Sequence, residues 1–143
     1  MNLRKSISKE AIELDLKSET KEEVIEELVD LMIASSRLKD RKAVLKLIND
    51  REKKMSTGMN NGIAIPHAKS DQIDSVIAVI GIKREGLDFE SLDGQPARIF
   101  IMTLSPAKRA GPHVQFLAEI SRHLDIESNR EKVLAAQSRD EVL

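Results

Sequence analysis

Val76-Ile77-Ala78-Val79-Ile80-Gly81-Ile82 is the stretch on which the fold turns. It carries no charge and is dominated by β-branched side chains, and Ile99-Phe100-Ile101-Met102-Thr103-Leu104 repeats that composition. A strand with one wet face alternates apolar and polar residues, whereas a strand covered on both faces reads as a continuous apolar run. Both segments therefore predict central strands with helices covering the sheet on either side. Between them Asp93-Gly94 is a hairpin turn signal, with Leu87, Phe89 and Leu92 packing an excursion back onto the core. Upstream, Ile63-Ala64-Ile65 reads as a short strand ended by Pro66, which has no N–H to give to a ladder.

The covering helices have their own signals. Thr20 and Glu23 have capping-box spacing, and Val24, Ile25, Leu28, Leu31 and Met32 recur at helical intervals, predicting an amphipathic helix from Lys21 to about Ser35. Asp40 can cap a second helix, with Val44, Leu45 and Ile48 on one face, that runs to roughly Arg51 or Glu52. Ser56-Thr57-Gly58-Met59-Asn60-Asn61-Gly62 breaks the pattern as a loop, because Gly and Asn tolerate positive φ. Gly111-Pro112 opens a further helix whose stripe is His113, Leu117, Ile120 and Leu124. Ser128 with Glu131 starts another through Val133, Leu134 and Ala135, and Ser138 with Glu141 is a third capping-box spacing close to the final residue.

Composition narrows the function. The chain's 143 residues, 41% hydrophobic and 33% charged, suit one domain over residues 1–143 with a single core. Lys and Arg total 23 against 24 for Asp and Glu, so no basic field exists to gather nucleic acid. Aromatics are 2%, which removes base-stacking platforms and an interfacial aromatic belt. The run from Val76 to Ile82 is far short of the ~20 residues that span a bilayer, so no direct membrane insertion is expected. Glu10, Glu13 and Asp15 interrupt the start before any signal-peptide core could form. With no cysteine, there are no disulfides, thiolate metal sites or thiol nucleophiles.

Covalent chemistry therefore falls to His, Ser, Thr, Lys or a carboxylate. His67 follows the strand-ending Pro and a Gly/Asn-rich loop, a setting that presents a ring on a rigid support. His113 sits at a helix N-terminus, where unpaired N–H groups and the dipole favour an anion. A neutral imidazole is a nucleophile near pH 7, since its ordinary pKa is about 6.5. Phosphoryl transfer also needs positive charge and N–H donors around the moving group, and Arg51, His113 and the amides of the Ser56 to Gly62 loop are available. Each residue taken singly has a plainer reading. His67 can be a turn residue satisfied by a backbone carbonyl, His113 a buried core histidine, and Arg51 or His123 a complement to a helix dipole. The loop lacks a P-loop's Gly-Lys-Ser/Thr ending, two histidines near Asp71 and Asp74 lack zinc-ligand spacing, and no Gly-x-Ser-x-Gly elbow occurs.

Arg51-Glu52, Ser56-Thr57-Gly58 and Asn61-Gly62-Ile63-Ala64-Ile65-Pro66-His67, in that order, resemble the signature of the IIA component of the bacterial phosphotransferase system. The branch resembled is the fructose, mannitol and nitrogen-regulatory type. Leu92-Asp93-Gly94-Gln95-Pro96, the strand after it, and His113 with Gln115, Leu117 and Ala118 are similar to later family segments, so the likeness covers about residues 5 to 143. Ala68 stands where many members have Gly, and Lys108-Arg109-Ala110-Gly111-Pro112 makes the approach to His113 unusually basic.

The resemblance implies a three-layer α/β domain, a mixed β-sheet with helices on both faces. It implies that His67 accepts phosphate from the histidine-containing phosphocarrier protein and passes it to a cysteine of a IIB component, in the cytoplasm and without a cofactor or metal. His113 and Arg51 match the family's second histidine and arginine, and Thr57 and Asn61 fall in its phosphate-binding loop. A second expectation is a regulatory module, of the nitrogen-regulatory type or controlling a transporter, whose docking changes with charge on His67. The sugar, if any, is set by partner components.

Overall fold

The computed structural model describes residues 11–35, 40–54, 62–71, 73, 76–89, 91, 94–107, 118, 120, 122, 124 and 127–135. In chain order these form β1 (Ile12–Glu13), α1 (Lys21–Ser35), α2 (Arg41–Lys54), β2 (Ile63–Ala64), β3 (His67–Ser70), β4 (Ile77–Leu87), β5 (Ala97–Pro106) and α3 (Glu127–Ala135). The sheet is mixed and runs β1-β4-β5-β2, with β3 also on β5. The central pair β4 and β5 is antiparallel, while β1, β2 and β3 each join in parallel. This is the expected α/β architecture, and the two apolar runs are its central hairpin.

Both strands are longer than their apolar cores. β4 continues through Lys83, Arg84 and Glu85 to Leu87, past a register irregularity that begins at Ile82. Gly94 has φ +72 and its N–H donates to Ser91 O at 3.0 Å, as the turn signal requires. Leu87 and Phe89 are buried, so this connection does fold onto the core.

Pro66 behaves differently from expectation. It separates β2 from β3 but does not end the sheet. The step from Ala64 to His67 equals the step from Phe100 to Thr103 opposite, so β3 resumes in the same register on β5. Pro66 lacks the donor, yet its carbonyl accepts from Thr103 N at 3.0 Å, just as Gly62 O accepts from Ile99 N at 2.9 Å. A parallel ladder needs only that carbonyl at this position. His67 therefore opens a strand where a terminus was expected.

The helices start where their caps are. Thr20 Oγ1 accepts from Glu23 N at 3.2 Å and donates to Glu23 Oε1 at 2.9 Å, and Asp40 Oδ1 accepts from Ala43 N at 3.1 Å. Such caps contribute about 1 kcal/mol each. α2 extends to Lys54, two residues past the expected end. Ser128 lies inside the first turn of α3, which begins at Glu127, and so does not cap it. Arg84 ties α3 to the sheet, donating from Nε to Leu134 O at 2.7 Å and from Nη1 to Leu14 O at 3.2 Å.

α1 buries Val24, Ile25, Leu28, Val29 and Met32. It lies so close to the sheet that a Cβ added at Gly81 would stand 2.8 to 2.9 Å from the Leu16 and Leu28 methyl carbons. Ile80, Ile82 and Ile101, which alternate to the other face, are also buried. Ile120 and Leu124, from the expected stripe, join the same core, and Ala118 and Arg122 are exposed. Gly81→Val is expected to cost about 1–3 kcal/mol by overpacking, read as a lower urea midpoint at unchanged slope.

Candidate functional site

His67 is half-buried at the first position of β3, and its Nδ1 makes a 2.7 Å bond with the Ile65 carbonyl. A carbonyl can only accept, so Nδ1 carries the proton and, in the neutral ring, Nε2 carries the basic lone pair. The carbonyl partner expected if His67 were only a turn residue is therefore present, and it also selects a tautomer. The backbone of His67 is held against β5, with Thr103 as its register partner. The carbonyl that holds the ring comes from Ile65, in the two-residue break, Ile65 and Pro66, between β2 and β3.

Burial of the ring holds the His67 pKa below histidine's ordinary 6.5. The Ile65 hydrogen bond acts in the opposite direction, the Arg51 charge pushes it further down, and Glu52 opposes Arg51. The sign for stability follows. The unfolded chain takes up this proton near 6.5 and the folded chain only at lower pH, so His67 destabilises the fold as pH falls through that window. Its ring resonance in an NMR titration is expected to have a midpoint below 6.5; a midpoint at or above 6.5 contradicts the burial account.

Arg51 and His67 are thus brought within electrostatic reach across α2 and β3. Arg51 is half-buried in the last turn of α2, and Glu52, the next residue, is buried. Glu52 Oε1 pairs with Lys21 Nζ of α1 at 2.9 Å. The same ammonium lies 4.7 Å from the centre of the Phe89 ring, which meets Phe100 edge-on with centroids 5.5 Å apart. Lys21 and Glu52 also line a groove of about 440 Å³ between α1 and α2. Their pairing was not legible in the sequence, where the two lie on separate helices. His113, Thr57, Asn61 and the loop from Ser56 to Asn61 lie outside the described residues, as do His123, Leu92, Asp93, Pro112 and Ser138. Among the described residues, no helix is long and apolar enough to cross a membrane.

A strand-held histidine with a fixed tautomer thus lies within electrostatic reach of an arginine from the neighbouring helix. The chain belongs to the family described as "Phosphoenolpyruvate-dependent sugar phosphotransferase system, EIIA 2", whose model matches residues 5–143. It is 40% identical over 133 residues to the fructose-specific EIIA component of Haloferax volcanii, covering 93% of this chain and 86% of that protein. It is 36% identical over 143 residues to the fructose-specific EIIABC component of Bacillus subtilis, covering 100% of this chain, which spans only 22% of that longer protein. Among solved structures, the nitrogen regulatory protein IIA-Ntr of Neisseria meningitidis superposes with a TM-score of 0.89 at 28% identity, covering 96% of this chain and 94% of that one. The mannitol IIA of Escherichia coli, solved in complex with its phosphorylated IIB, gives a TM-score of 0.79 at 28% identity, with 94% and 92% covered.

Proposed function

We propose that this chain acts as a single IIA domain whose His67 accepts a phosphoryl group at Nε2 from the histidine-containing phosphocarrier protein and passes it to a cysteine of a IIB component. The observation that carries the reading is the 2.7 Å bond from His67 Nδ1 to Ile65 O beside Arg51. The Nε2 lone pair forms the new N–P bond as the donor's N–P bond breaks and its electron pair returns to the donor ring. His67 keeps its Nδ1 proton, so its ring becomes cationic, and the Ile65 carbonyl is placed to stabilise that charge. Arg51, with His113 and the amides around Thr57 and Asn61, supplies positive charge and donors to the phosphoryl oxygens, the main requirement of such transfers. Attack by a IIB thiolate then breaks the His67 N–P bond and returns the electron pair to Nε2.

Incubation with the phosphorylated carrier is expected to add about 80 Da, one phosphoryl group, and subsequent addition of a IIB domain to remove it. No gain overturns the reading, and a gain that IIB cannot discharge overturns its second half. The likeness to the Neisseria protein supports a second output, in which phospho-His67 controls a transporter or regulator through docking. Pull-downs from wild type and His67→Asp are then expected to differ; equal recovery of every partner removes phospho-control.

A further inference from the structure

We infer that Glu52, clamped by Lys21, is a positioning residue for the chemistry at His67: it fixes the last turn of α2 so that Arg51 addresses the ring, and it places a negative charge near the imidazole as that becomes cationic. The inference rests on the phosphoryl-transfer reading and deepens it. Its starting point is that the Glu52 side chain is 5% exposed and that of Lys21 13%. Burying two charges is costly, and their attraction commonly does no more than offset that cost, so stability alone is a weak reason for such a pair. What a buried pair does supply is a defined geometry.

The geometry here runs unbroken from sheet to site. Phe100 lies on the central strand β5, Phe89 packs edge-on against it, Lys21 sits over Phe89, and Glu52 takes the Lys21 ammonium at 2.9 Å. Each contact fixes the next. Successive residues on a helix point about 100° apart, so pinning Glu52 toward Lys21 sets the direction in which Arg51 leaves α2. α2 packs against β3, and both charges at its end are felt at His67 with opposite signs, Arg51 disfavouring the imidazolium and Glu52 favouring it. In phosphoryl acceptance the two divide the work: Arg51 meets the negative phosphoryl oxygens, and Glu52 offsets its repulsion of the developing ring cation.

The alternative is that Glu52 merely neutralises Lys21. Glu52→Gln and the double variant Lys21→Gln/Glu52→Gln separate the two, each studied beside wild type at a temperature where circular dichroism shows the native fold. The readouts are the rate of mass gain from phosphorylated histidine-containing phosphocarrier protein and the NMR titration midpoint of His67. Positioning predicts at least a tenfold slower gain in Glu52→Gln, a lower His67 midpoint in that variant, and a double variant that stays slow although it buries no charge. A wild-type rate in the double variant overturns the inference, as does a midpoint in Glu52→Gln that fails to fall. If Glu52→Gln does not fold, the rate of the double variant decides alone. The midpoint is read without any phosphate, so a wild-type chain that accepts none removes the proposed function while the midpoint still decides on Glu52.

Discussion

His67→Ala is expected to accept no phosphoryl group under conditions in which wild type gains about 80 Da, the mass of one group. The loss is complete because the described geometry prepares a single imidazole: one tautomer, fixed by Ile65 O, beside one arginine. The fold is expected to survive. His67 is half-buried, and β3 keeps its ladder to β5 through the Pro66 carbonyl and the backbone pairs that follow. Intact-mass spectrometry of both proteins after the same incubation, with circular dichroism of each, makes the comparison. A mass gain that persists in His67→Ala places the acceptor elsewhere.

Phe100→Ala is expected to carry the largest cost in stability, about 3–5 kcal/mol, measured as a fall in the urea midpoint. Phe100 has no exposed surface, stands in β5 between β4 and β2, and faces Phe89 edge-on. Truncation removes its own burial and leaves Phe89 without that ring partner, in a core too dense to close the gap. The site is expected to suffer with the core, since Phe89 supports Lys21. A loss below about 1 kcal/mol means that the surroundings collapse into the space and that the aromatic pair carries little.

The parts of this molecule that were legible in its sequence are those whose physics is local. Val76 to Ile82 and Ile99 to Leu104 announce central strands because burial on both faces excludes alternation. Thr20, Glu23 and Asp40 mark helix starts because capping is a matter of three residues. β1 gives no clear strand signal although Ile12, Leu14 and Leu16 alternate, because only two of its residues pair with β4. β3 was hidden for a different reason. Its His-Ala-Lys-Ser sequence has little strand character, and Pro66 reads as a terminator until the carbonyl it offers to Thr103 is seen.

The site divides in the same way. His67 was identifiable from its place after the loop and Pro66, but which ring nitrogen is nucleophilic depends on Ile65 O, a contact the sequence does not display. Arg51, taken singly, looks like a charge serving its own helix end. Only the packing of α2 against β3 turns its field onto His67. Glu52 stands in the motif with no role that the sequence displays, because Lys21 lies some thirty residues away and meets it only when α1 and α2 pack together.

If the Ile65 carbonyl keeps the proton on Nδ1 of His67, phosphate is directed to Nε2. Heteronuclear NMR of the ¹⁵N-histidine-labelled protein, after incubation with phosphorylated histidine-containing phosphocarrier protein, reads which ring nitrogen is bonded to phosphorus. Phosphorus is expected on Nε2 of His67, with Nδ1 still protonated. A phosphoryl group on Nδ1, or on any other residue, contradicts it.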